Sequence, residues 1–109
     1  MEITSTEKAY SCLAENMLKA CDKQSWTALV LKANVYLSMV SSEFLIVYAE
    51  TVDESKYVKA ISQAALFLRD NLLATTGKRI WGLTFTLYPN GKFNIEYDYN
   101  KPGGYEEID

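Results

Sequence analysis

Along the first segment, Tyr10, Leu13, Met17 and Ala20/Cys21 recur at spacings of three and four, with Ala9 and Ala14 beside them. That spacing lays an apolar stripe on one side of a helix. Lys8, Ser11, Glu15, Lys19 and Asp22 fall on the other side. The predicted helix covers residues 4 to about 22, with Thr4 and Glu7 at capping-box spacing. From Trp26 the period changes to two. Thr27, Leu29, Leu31, Ala33, Val35, Leu37 and Met39 share one face. Trp26, Ala28, Val30, Lys32, Asn34, Tyr36 and Ser38 share the other. This predicts a long strand with one buried and one mixed face. A slip of one residue would turn the apolar set outward, so the register is well specified. Ser41, Ser42 and Glu43 read as a turn, and residues 44–50, FLIVYAE, as a second strand rich in β-formers. So short a connection predicts an antiparallel hairpin.

Asp53 or Ser55 then supplies an N-cap for a second helix. In it Val58, Ile61, Ala65, Leu68 and Leu72 repeat at helical spacing, widened by Leu66, Phe67 and Leu73. Thr75 and Thr76 close it, and Gly77 stands where a left-handed C′ residue is expected. Residues 79–88 predict a third strand, with Trp81, Leu83, Phe85 and Leu87 on one face and Ile80, Gly82, Thr84, Thr86 and Tyr88 on the other. Pro89-Asn90-Gly91 is a strong turn. Residues 92–99 predict a fourth strand. Phe93, Ile95, Tyr97 and Tyr99 share its core face, leaving Asn94, Glu96 and Asp98 outward. The expected fold is a two-layer α+β domain of order α-β-β-α-β-β. A four-stranded antiparallel sheet carries both helices on one face. It is read as a single domain over residues 1–109, with 101–109 a short acidic tail.

Composition adds two constraints. Apolar residues make up 49% of the chain, which excludes general disorder. Histidine is absent, and with it the commonest general base and metal ligand and every Ser-His or Cys-His nucleophile pair. A binding protein is therefore favoured over an enzyme. No Gly-rich phosphate loop and no metal-ligand spacing appear, so no cofactor is expected. Glu96 and Asp98, two apart on one strand face, have the spacing of paired carboxylates or hard-cation ligands, but with no other carboxylate shown nearby a solvated strand face is the favoured reading. Lys78-Arg79 after the second helix reads as a complement to its dipole.

Charge is unevenly distributed. Residues 1–91 hold nine acidic and nine basic side chains, so the net −3 of the chain lies wholly in residues 92–109. No basic face for nucleic acid is visible. An acidic end carrying Tyr97, Tyr99 and Tyr105 suits a basic protein partner, tyrosine being enriched at interfaces. Cys12 and Cys21 lie nine apart on one helix, on opposite sides and about 13 Å apart along the axis, too far for a disulfide with each other. With no signal peptide and no apolar run long enough for a membrane span, this predicts a soluble protein of the reducing cytoplasm.

The segment Trp81-Gly82-Leu83-Thr84-Phe85-Thr86-Leu87, followed by Pro89-Asn90-Gly91-Lys92-Phe93-Asn94-Ile95-Glu96-Tyr97-Asp98-Tyr99, resembles the end of the YezG-like family of bacterial immunity proteins. The resemblance covers roughly residues 79–100; Pro102-Gly103-Gly104 and the following YEEID match no part of it. It implies a cytosolic antidote that binds the C-terminal domain of a polymorphic or contact-dependent growth inhibition toxin, often a nuclease, and blocks it. An acidic surface fits a basic, nucleic-acid-cutting partner, and opposite charge would speed encounter. Glu96, Asp98, Glu106 and Glu107 are the expected electrostatic contacts, with Tyr99 and Tyr105 as anchors. A second class is an acidic, homodimeric secretion-chaperone-like protein that holds an effector. It would expose Val30, Tyr36 and neighbouring apolar residues.

Overall fold

The computed structural model describes residues 3–21, 25–48, 51–55 and 61–101. Its elements are α1 (Thr6–Ala20), β1 (Ala28–Val35), β2 (Val40–Tyr48), β3 (Thr51–Ser55), α2 (Ile61–Thr76), β4 (Gly82–Leu87) and β5 (Phe93–Asp98). The α+β class is as expected. The sheet, however, has five antiparallel strands in the order β3-β2-β1-β4-β5, and the chain order is α-β-β-β-α-β-β. The additional strand, β3, occupies Asp53 and Ser55, which the sequence pattern assigned to a helix cap. It pairs with β2 from Phe44↔Ser55 to Tyr48↔Thr51 and forms one edge of the sheet. Val58 lies outside the described residues.

Alternation within β1 holds. Leu29, Leu31, Ala33 and Val35 are buried, and they face Leu87, Phe85 and Leu83 of β4 on one side and Ile46 and Phe44 of β2 on the other. The strand ends earlier than the pattern implies. Val35 pairs with Val40, and the Tyr36 N–H donates to Met39 O at 2.9 Å, so the chain reverses through Leu37-Ser38. Leu37 and Met39 thus lie in the reversal, 42% and 59% exposed, rather than on the core face. Ser41, Ser42 and Glu43 belong to β2 and not to a turn. β4 likewise begins only at Gly82, so Ile80, expected on the outward face, is instead fully buried.

Both helices pack on the same face. Ala9, Leu13 and Met17 of α1 and Ile61, Ala64, Ala65 and Leu68 of α2 join the odd positions of β1 and β4 in one core cluster. Removing such side chains from water supplies most of the driving force for folding. The N-cap of α1 is Ser5 and not Thr4: its extended backbone presents Oγ to the Lys8 N–H at 3.2 Å. Gly77 ends α2 at φ 72°, its N–H donating to Leu73 O at 3.0 Å, as the sequence predicts. Arg69 ties α2 to the sheet, its guanidinium donating to the carbonyls of Tyr36 and Leu37 in the β1–β2 reversal. Neither cysteine forms a disulfide, and Cys12 is buried. Among the described residues no helix is long and apolar enough to cross a membrane.

Candidate protein-binding site

The geometry of β5 follows from the turn before it. Gly91 adopts φ 86°, a conformation that costs a side-chain-bearing residue and suits glycine. Its N–H donates to Tyr88 O at 3.0 Å, and the Lys92 N–H donates to Asn90 Oδ1 at 3.0 Å. The hairpin so closed pairs Leu87↔Phe93, Phe85↔Ile95 and Leu83↔Tyr97, placing Phe93, Ile95 and Tyr97 on the helix-covered side. Phe93 stacks on Phe85 with ring centroids 5.1 Å apart, yet remains 46% exposed. The Tyr97 hydroxyl meets that of Tyr10 on α1 at 2.9 Å. Burial, and then the Tyr10 hydrogen bond, hold the Tyr97 phenol well above the usual tyrosine range.

Glu96 and Asp98 therefore project from the opposite face, which no helix covers among the described residues, and both are exposed. Pairing carries their neighbours across the sheet in two rows. Glu96 lies beside Thr84, which pairs with Lys32, which pairs with Glu43. Asp98 lies beside Gly82, then Asn34, then Ser41. The rows line an open groove of about 400 Å³. Gly82 sits at its floor, where an added Cβ would stand 3.0 Å from Ala33 O and 3.6 Å from both Asn34 Oδ1 and the Asp98 Cβ. Asp98 Oδ1 accepts the Asn100 N–H at 2.9 Å, and its carbonyl accepts the Trp81 N–H at 2.7 Å. Three carboxylates and one lysine thus line a single groove.

The remaining expected contacts are less concentrated. Tyr99 lies beyond the end of β5, 47% exposed, its ring 6.4 Å from that of Tyr97 and 5.9 Å from Lys78 Nζ. It follows the last residue of the strand, which ends at Asp98. Tyr105, Glu106 and Glu107 lie outside the described residues. Lys78 and Arg79 do more than follow a helix terminus. The Arg79 guanidinium lies 3.7 Å from the Trp81 ring centre, and Lys101 Nζ lies 5.9 Å from it. Glu43, Lys32 and Gly82 were missed as site residues. Glu43 has the composition of a turn, and Gly82 has no side chain to draw notice, although Lys32 and Asn34 already stood on the mixed face of β1. Among the described residues no three His, Cys, Asp or Glu side chains are grouped to hold a metal ion. In comparisons with known proteins, no family model and no curated protein matches the chain.

Proposed function

We propose that the protein is a cytosolic immunity protein of the YezG-like kind, one that binds the C-terminal domain of a cognate toxin and neutralises it without chemistry of its own. The carrying observation is the exposed pair Glu96 and Asp98, brought by the sheet into one groove with Glu43. The resemblance of residues 81–99 to that family points the same way. Carboxylates fixed on a paired strand offer a basic partner a preorganised acidic surface, and a nuclease domain that binds phosphates is basic where it matters. In this reading Tyr99 and Tyr105 serve as anchors, and Glu106 and Glu107 add to the negative charge.

A pull-down against the C-terminal domain of the protein encoded immediately upstream, with growth measured when both are expressed, tests the reading. A tight complex and restored growth are expected. Recovery of a whole, non-toxic effector by a dimer of this chain would replace it with the secretion-chaperone reading. One observation favours that alternative: Val30 lies beside Leu45 on the sheet face that no helix covers among the described residues, and Val52 nearby is 59% exposed.

A further inference from the structure

We infer that the partner is held by the sheet face that no helix covers among the described residues: a basic protein domain seats a cationic side chain among Glu43, Glu96 and Asp98 and rests aliphatic residues on the valine-rich end beside β3. This rests on the immunity reading and locates its interface, which the sequence alone assigns to β5 and the acidic tail. The face has two chemically distinct ends. At one end Val30 pairs with Leu45 and Val47 pairs with Val52, so four aliphatic side chains adjoin across three strands. At the other end lies the groove of Glu43, Glu96 and Asp98 around a single Lys32.

Charge complementarity selects the occupant. With three carboxylates against one ammonium, the groove attracts a cation and repels an anion. Gly82 lies between Asn34 and Asp98, where a Cβ would stand 3.0 Å from Ala33 O, so glycine lets the row close up there. The exposed Glu43, Glu96 and Asp98 carboxylates are the groups a guanidinium would meet. A mixed surface of this kind, an apolar platform beside a polar groove, has the composition of an interface between separately folded proteins.

The test is calorimetric titration of the full chain with the C-terminal domain of the protein encoded immediately upstream. Thr84→Arg fills the groove and lessens its negative charge, Val52→Asp charges the apolar end at an exposed position, and Gln63→Arg alters the exposed side of α2 as a control. Circular dichroism confirms that each is folded; should Thr84→Arg fail that check, Val52→Asp decides. We expect Thr84→Arg and Val52→Asp each to weaken binding by about tenfold or more, and Gln63→Arg to change it by less than about twofold. Wild-type binding with both face variants equally tight would overturn this interface while leaving the immunity reading standing. No binding by the wild-type chain would overturn both. A wild-type dimer that Val52→Asp converts to a monomer, seen by sedimentation, would assign the face to a second copy and overturn the proposal.

Discussion

Arg69 shows how one side chain can join two layers. Its side chain is only 14% exposed, and its guanidinium donates to both carbonyls at the β1–β2 reversal while pairing with Asp70 at 3.0 Å. The two contacts differ in worth. Hydrogen bonds from a charged donor to backbone contribute about 1.5–3 kcal/mol, whereas an exposed ion pair contributes about 0–1 kcal/mol. Arg69→Ala should therefore cost about 2 kcal/mol in urea denaturation, and Asp70→Ala, at a carboxylate 66% exposed, less than about 0.5 kcal/mol. Equal losses would mean that the ion pair, not the turn contact, is what matters. Tyr97 gives a second residue-scale prediction. Its phenol is raised above the ordinary value in the folded chain, so the unfolded chain ionises first as pH rises past about 10. The sign follows: the folded state binds more protons there, and stability falls with increasing pH. Tyr97→Phe removes this titration. At neutral pH it should cost about 0.5–1.5 kcal/mol for the lost Tyr10 contact. Above pH 10 its stability should decline less steeply than that of the wild type, and parallel declines would show that Tyr97 is not the titrating group.

At the scale of elements, the sequence pattern was most legible where an element buries one face along its whole length. The odd positions of β1 from Leu29 to Val35, the stripe of α1 and the hairpin around Pro89-Asn90-Gly91 are all as the spacing predicts. It was least legible at ends and edges. β3 is an edge strand, bonded on one side only, and its sequence TVDES has no apolar alternation to announce it. Asp53 and Ser55 are common helix-start residues, and that local preference conflicts with the pairing they make. The β1–β2 reversal through Leu37-Ser38 contains neither Gly nor Pro, so alternation ran on into it, and Ser41-Ser42-Glu43 carried the turn composition instead. The start of α1 makes the same point in a measurable way. Thr4 and Ser5 are both acceptable caps by residue type, but only Ser5 has its Oγ on the Lys8 N–H. Ser5→Ala should lower stability by about 0.5–2 kcal/mol, while Thr4→Ala should fall within about 0.5 kcal/mol of wild type. Thermal melts of the two variants decide between them, and the reverse order would restore Thr4 as the cap.

On the scale of the whole molecule, charge and topology act together. In the chain, the excess of acid lies beyond Gly91. In space, Glu96 and Asp98 are joined by Glu43 from a strand far earlier in sequence, on the sheet face that no helix covers among the described residues. Half of the candidate site was therefore legible: strand parity alone turns Glu96 and Asp98 outward. The other half required knowing that β1 separates β2 from β4, which no spacing within either hairpin reveals. A field built from several carboxylates on one face steers a basic partner over distances of about a Debye length, near 8–10 Å at physiological salt. Its mark is an association rate that falls as salt rises. Reversing Glu96 and Asp98 to lysine changes two of the three carboxylates in the groove while leaving the inward row of Phe93, Ile95 and Tyr97 in place. Binding of the proposed toxin domain should then weaken by about tenfold or more at low salt, chiefly through slower association, and its salt dependence should flatten. Stopped-flow association at several ionic strengths measures both quantities. A double variant with wild-type rate and wild-type salt slope would remove Glu96 and Asp98 from the partner's path and move the electrostatic contact elsewhere on the chain.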